Sequence, residues 1–368
     1  MKRSLALGAL LVLTLTACQP AGSNTIKIGL IAPLTGDAAS LGTDVLNGAK
    51  IAVDEINVKG GINGKLVELI AEDGRCTGAD AASAVQKLIN VDKVSVIIGG
   101  LCSGETLAAA PIAEAAKVVM LSPTSSSPDV TKAGDFIFRD YPSDALKTVA
   151  MAKYFKDKSW TKVAVITTNA DFSVGFLNSL KKDVGEAGIV FSETVDPDTK
   201  DFRSVLTRLK DTDFDVFVPN THTPAAMGVL IKQFREQGFT QPMVSHDVAD
   251  DKTVWEGAGD ASDGLQVINV ASIADDTDFG KKFVPKYKVQ AGLVFAAYSY
   301  DAANVLFDIL KAGAADGAAI RDALYKVTAH QGIIGTFGFD KNGDVTGVGF
   351  VLKEVKGGAS KEVSKISL

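Results

Sequence analysis

The chain has 368 residues, 46% of them hydrophobic and 22% charged, with a formal net charge of −6. That is the make-up of a globular protein with room for two domains of ordinary size. With an acidic balance and no block of Lys and Arg, it lacks the basic footprint that phosphate backbones require, which excludes nucleic acid as a partner.

The chain opens with Met1-Lys2-Arg3, an apolar run from Leu5 to Leu15, and then Leu15-Thr16-Ala17-Cys18. This order reads as a bacterial lipoprotein signal, residues 1–18, ending in a lipobox. The apolar run of about 10 residues is too short to cross a hydrocarbon layer of about 30 Å. Cleavage before Cys18 and its lipidation are therefore expected to leave the chain anchored by lipid in the periplasm or at the cell surface, outside the cytoplasmic membrane. Residues 19–25, small and polar, form the tether. No other segment reads as apolar for long enough to span a membrane. Cys18, Cys76 and Cys102 are the three cysteines. With Cys18 lipidated, Cys76 and Cys102 remain as a pair in an oxidising compartment, where a disulfide is expected and two buried thiols are the alternative. No other ligand type clusters with them at zinc spacing.

From Ile26 short apolar runs alternate with longer amphipathic ones, the pattern of βαβ units around a parallel sheet. Strands are predicted at Ile26–Leu34, Leu66–Asp73, Val94–Gly100, Val118–Pro123 and Phe136–Tyr141, with helices at Asp44–Val58, Asp80–Asn90 and Thr106–Lys117. The rhythm restarts after Tyr141-Pro142, with strands at Lys162–Thr168, Ile189–Val195, Asp215–Asn220 and Met243–His246. Helices near Asp144–Lys156, Val174–Ala187, Phe202–Lys210 and Ala225–Gln237 separate them. After Gly264–Val270 come helices near Asp278–Val289, Phe295–Lys311 and Ala318–Thr328. A hairpin-like pair follows, Ile333–Phe339 with Val348–Val355, turning at Asn342-Gly343. The expected fold is α/β, two doubly wound Rossmann-like lobes joined by three hinge crossovers near Tyr141–Ser143, Asn269–Ile273 and Phe339–Thr346. The first lobe takes residues 26–141 and 271–340, the second 142–270 and 345–368. Two α/β lobes on short crossovers can close around something small.

Ligands of open α/β sheets sit beyond the carboxyl ends of the strands. Those positions hold Thr35 to Gly42, Gly99 to Glu105 and Ser122 to Pro128 in the first half, and Asn169 to Phe172, Thr221 to Thr223 and His246-Asp247 in the second. Ser103 falls at or near a helix start, where a hydroxyl and free N–H groups make a carboxylate or phosphate site, or a plain cap. Phe172 suits the apolar part of a ligand, and Asp247 suits a cation. No dinucleotide fingerprint, P-loop, H-E-x-x-H or G-x-S-x-G occurs, and adjacent His246 and Asp247 cannot orient one another as a catalytic triad requires. The chain reads as no enzyme, and no cofactor is expected. Asp340-Lys341-Asn342-Gly343-Asp344 hints at a calcium loop but lacks the later bidentate Glu, with Val351 in its place, so a plain turn is expected.

Ile28-Gly29-Leu30 through Thr35-Gly36, then Gly48-Ala49, Ala52 to Asn57 and Gly60 to Gly64, resemble the opening of the type I periplasmic binding proteins that serve branched-chain amino acid ABC transporters. The likeness continues through Glu72-Asp73, Gly99 to Ser103, Ser122-Pro123, Asp201-Phe202, Tyr300 to Ala302 and Gly335 to Asp344, nearly the whole mature chain. The resemblance implies a Cys76–Cys102 disulfide. It also implies that the ligand's α-carboxylate goes to Ser103 and Ser126 with their backbone amides, and its ammonium to the carbonyl of Thr124 and to Asp247. Phe172 takes the place of the family's aromatic wall. Leu41 and His222 stand at or beside positions where those binders place aromatics, and Asp247 is shorter than their acid.

The function so implied is capture of leucine, isoleucine or valine between the lobes by a monomeric receptor, for membrane permease and ATPase subunits. A receptor for an amide, urea or another small amphipathic solute, or a sensory lipoprotein, are the alternatives.

Overall fold

A computed structural model describes residues 25–287 and 293–366. The signal, Cys18, nearly all of the tether and the end of the helix expected to reach Val289 lie outside the described residues. Strands and α-helices alternate through most of both halves. The first half runs β1 (Thr25–Ala32), α1 (Ala39–Val58), β2 (Leu66–Asp73), α2 (Gly78–Lys87), β3 (Val96–Gly99), α3 (Ser103–Ala116), β4 (Val119–Ser122) and β5 (Ile137–Arg139). These strands make one parallel sheet in the order β2-β1-β3-β4-β5. Every residue of β3 and β4 is buried, because helices cover both faces, and that is why these strands read as unbroken apolar runs.

The second half runs α4 (Asp144–Asp157), β6 (Val163–Thr168), α5 (Asp171–Val184), β7 (Ile189–Val195), α6 (Arg203–Leu209), β8 (Val216–Asn220), α7 (Pro224–Glu236), β9 (Val244–Ser245), α8 (Lys252–Ala258) and β10 (Gln266–Asn269). Strands β7-β6-β8 are parallel, and a bridge from Phe217 to Met243 carries the surface on to β9 and β10. The chain then returns to the first lobe with α9 (Asp278–Lys286), α10 (Leu293–Lys311) and α11 (Gly317–Leu324). By length and composition α10 could cross a membrane, contrary to the expectation from sequence. Instead it is a core helix of the first lobe, pressed on α1 where Gly48 faces the Ala296 carbonyl: a Cβ there would come within 2.0 Å of that oxygen.

The expected hairpin is corrected. β12 (Gly335–Phe339) pairs with β11 (His330–Gly332) and, around the Asn342-Gly343 turn, with β13 (Val345–Thr346). β14 (Phe350–Lys356) instead joins β10 and β15 (Ala359–Ile366) in the second lobe. Phe350, Leu352 and Val355 bury themselves in that lobe's cores, an apolar gain that pairing with β12 cannot match. The sequence reading missed β15, since an edge strand facing water carries Lys361, Glu362 and Lys365 and no apolar alternation. At Asp340 to Asp344, where a plain turn is expected, Asp340 Oδ1 accepts the N–H groups of Asn342 and Asp344 and closes that turn.

The first two crossovers are tied together, and the edge of the first sheet is tied to the chain just ahead of the third. Tyr141 donates its hydroxyl to Asn269 Oδ1 at 2.7 Å, and the fully buried Arg139 holds Asp344 Oδ1 at 2.6 Å. Beside them Asp140 is fully buried with neither carboxylate oxygen hydrogen-bonded among the described residues. Burial, then the neighbouring Asp301, pushes its carboxyl well above the usual range. A proton held by the native state but not the unfolded one stabilises fully below about pH 3.9, and that contribution is lost as pH rises through the folded value. Asp140→Asn is therefore expected to raise the thermal midpoint at pH 8 by more than at pH 4; an equal shift at both would contradict this.

Candidate functional site

A cleft of about 550 Å³ lies between the lobes, and Ser103, Thr124, Ser126, Phe172, His222 and Asp247 all line it. The structure thus brings together all six candidate ligand residues.

On the first wall, Cys76 and Cys102 form a disulfide. Glu105, at the third position of α3, adds a second lock: it accepts the N–H of Cys76 on one oxygen and those of Leu101 and Cys102 on the other, each at 2.9 Å. Burial pushes its carboxyl up to about 7 despite these three bonds. The double Cys76→Ser/Cys102→Ser variant is expected to lose about 3.5 kcal/mol of stability by loop-closure entropy. Chemical unfolding with and without reductant checks this.

The hydroxyls expected to greet a ligand are mostly committed elsewhere. Ser122 donates to the Gly100 carbonyl at 2.7 Å, Thr124 to that of Leu101 at 2.8 Å, and Ser126 to Asp144 Oδ2 at 2.9 Å. The first two bonds knit the β4 loop to the loop before α3, and the third ties it to α4. Ser103 differs: its Oγ accepts the Ser127 N–H at 3.1 Å, and among the described residues its own hydrogen has no acceptor. It sits at the first turn of α3, whose leading N–H groups have no intrahelical partners. A hydroxyl donor beside a helix N-terminus suits a carboxylate.

On the second wall Phe172 opens α5 and packs edge-on to His246, ring centroids 4.8 Å apart. Desolvation depresses His246 to about 3, so it is neutral, with Nε2 3.1 Å from Asn220 Oδ1. His222 is also depressed by burial, and its Nδ1 lies 3.1 Å from the Thr168 hydroxyl. Among the described residues its Nε2 has no partner. Leu41, Val248 and Phe295 supply apolar lining.

Asp247 is 4% exposed and is not the free acid that the sequence suggested. Its Oδ1 takes a hydrogen bond from Lys147, whose Nζ also lies 2.7 Å from Asp144 Oδ1, poorly aligned for a hydrogen bond. Lys147 and Asp144 are fully buried. Among the described residues Asp247 Oδ2 has no side-chain hydrogen bond, and the residue reaches the cleft. Sequence reading missed both Asp144 and Lys147. They occupy the first turn of α4 after the Ser143 cap, where such an i,i+3 pair reads as an ordinary surface pair.

The lobes touch across the cleft. Lys200 pairs with Asp37, and Ser40 donates to Asp251 at 3.2 Å. Gly104 lies so near Asp171 that a Cβ would come within 2.8 Å of its Oδ2. Gly104→Leu is therefore expected to hold the lobes apart, enlarging the radius of gyration of the ligand-bound protein in X-ray scattering. An unchanged radius would contradict it.

The family pattern described as periplasmic binding protein matches residues 25–359, nearly all of the described chain. The chain belongs to the periplasmic binding protein family. Within it, the chain is similar to the Leu/Ile/Val-binding protein BraC3 of Rhizobium johnstonii, at 31% identity over 93% of this chain and 95% of that one. The leucine-binding protein LivK of Thermotoga maritima superposes with a TM-score of 0.84 at 32% identity, covering 93% and 98% of the two chains. The substrate-binding protein LivJ of Streptococcus pneumoniae, solved with isoleucine, gives 0.83 at 30% identity, covering 92% and 99%. These likenesses establish the type I periplasmic binding protein fold of the branched-chain amino acid group, and membership places the chain outside the cytoplasm.

Proposed function

We propose that this chain is the receptor subunit of an ABC importer, a monomer anchored by lipid at Cys18, without enzymatic activity, that captures leucine, isoleucine or valine between its lobes. The observation that carries the reading is the opposition of Ser103 at the α3 N-terminus to Asp247 across a cleft whose walls between them include Leu41, Phe172 and Phe295. A zwitterion needs both its charges matched when it leaves water. In this reading the ligand carboxylate takes the Ser103 hydroxyl and the N–H groups of Ser103 and Ser126. The ammonium takes Asp247 and the Thr124 carbonyl, while Phe172 covers the aliphatic tail. The lobes divide at the three crossovers, with residues 26–141 and 271–340 against 142–270 and the end of the chain; Val345 and Thr346, expected in the second lobe, pair with β12 in the first, so the third crossover follows them. Closure is favoured only by the contacts that the second lobe adds.

The test is titration calorimetry of residues 19–368, freed of carried-over ligand, against amino acids, amides and urea. At 100 times its dissociation constant a ligand also stabilises by about 2.7 kcal/mol, a shift that thermal unfolding reads. Binding confined to the branched-chain set supports the reading, and no binding by any amino acid sinks it. Cys18→Ala is expected to release the full chain from membranes with binding intact. One observation favours a second reading: neutral His222 has an Nε2 on the cleft wall with no partner among the described residues, which suits an acceptor on the ligand tail, such as an amide.

A further inference from the structure

We infer that Asp144 and Lys147 are specificity-determining residues: with Asp247 they form a buried triad whose one uncompensated negative charge selects ligands that bring a cationic group. The inference rests on the amino-acid reading of the same cleft and adds to it two residues that do not line the cleft. Two carboxylates and one ammonium, all within a few per cent of full burial, carry a net charge of one negative when ionised. A buried charge without a partner is costly, so an arriving ammonium is favoured by the whole triad, not by Asp247 alone.

The geometry also joins the two ends of the ligand site. Ser126 donates to Asp144 Oδ2 at 2.9 Å, and Asp144 returns its N–H to the Ser126 carbonyl at 2.7 Å. Asp144 contacts Lys147, and Lys147 holds Asp247. A continuous buried path therefore runs from the proposed carboxylate loop to the proposed ammonium acceptor. Around the triad, His246 Nδ1 stands 4.0 Å from Asp247 Oδ1 and is neutral, the Tyr141 ring lies 5.6 Å from Lys147 Nζ with its hydroxyl protonated, and Asp250, which also acts on Tyr141, is paired with Lys353. An ammonium-free carboxylate would leave the triad's charge uncompensated and add its own, so it is rejected.

Asp144 is the member whose protonation varies. Burial raises its carboxyl, against the pull of Lys147, to about 6. A ligand ammonium favours the ionised form, so binding expels a proton below that value. Leucine affinity should then fall as pH drops through the range in which Asp144 takes up a proton, and level off above it.

The decisive experiment counts charges. Wild type, Asp144→Asn, Lys147→Met and the double variant of residues 19–368 are titrated with leucine and with 4-methylpentanoate, which is leucine without its amine. Asp144→Asn makes the triad neutral while keeping Asp247. Leucine should weaken at least tenfold, its pH dependence should vanish, and 4-methylpentanoate should bind where wild type refuses it. The double variant restores one negative charge and should return leucine to within about threefold of wild type. Should Lys147→Met fail to fold, Asp144→Asn and the wild-type pH profile still decide. Wild-type affinity for leucine with no effect of Asp144→Asn, or a double variant worse than both single ones, overturns the inference alone. Failure of wild type to bind any α-amino acid overturns the underlying reading instead.

Discussion

Asp247→Asn is expected to weaken leucine binding by at least about 3 kcal/mol, more than a hundredfold. In the native chain Asp247 takes the Lys147 hydrogen bond on one oxygen and reaches the cleft wall. Without its charge, Asp144 and Lys147 become a self-neutralised pair and the buried cluster offers an ammonium no net negative charge. The amide can still accept a hydrogen bond, which is why the measurement should be made against leucine rather than inferred from folding. Calorimetry on the variant, with its thermal midpoint measured in parallel, separates lost binding from lost structure. A loss smaller than fivefold would mean that the ammonium lies elsewhere.

Arg139→Met is expected to cost about 3–5 kcal/mol of folding stability. The guanidinium is fully buried, and its donors hold Asp344 at 2.6 Å, Thr131 Oγ1 at 2.7 Å, and the carbonyls of Ser125 and Ser127 at 3.3 and 2.8 Å. Methionine fills part of the space but strips Asp344 Oδ1 and the Ser125 carbonyl of their donor, while Thr131 still donates to Asp344 Oδ2 and the Val130 N–H to the Ser127 carbonyl. Because the clamped carbonyls flank Ser126, affinity should fall as well. Urea unfolding with an unchanged midpoint would show that Arg139 is a spectator.

Much of this protein is legible in its sequence. The parallel strands announce themselves because sheets covered on both faces need unbroken apolar runs, as in Val96–Gly99 and Val163–Thr168. Site loops are legible for a related reason: strand ends facing the cleft carry small hydroxyl and glycine residues where the core would demand bulk. What pattern could not supply was partnership. Nothing in Asp144-Ala145-Leu146-Lys147 distinguishes a buried ion pair from a solvated one, and nothing in Ser126 says that its hydroxyl is spent on a neighbour. The late strands were misassigned because pairing there is decided by which core Phe350 and Leu352 enter, a tertiary choice with no local signal.

The bonds between the crossovers have a mechanical consequence. With Tyr141 fastened to Asn269, the first two crossovers cannot slide past one another without breaking a buried bond, and Arg139 fastens Asp344 to the edge of the first sheet just ahead of the third. The first two act as one axle. The motion that keeps these bonds is a joint swing of the crossovers, which opens or shuts the gap at the rim. A membrane partner resting on both lobes would then receive a yes-or-no report of cargo and need not inspect the cargo itself.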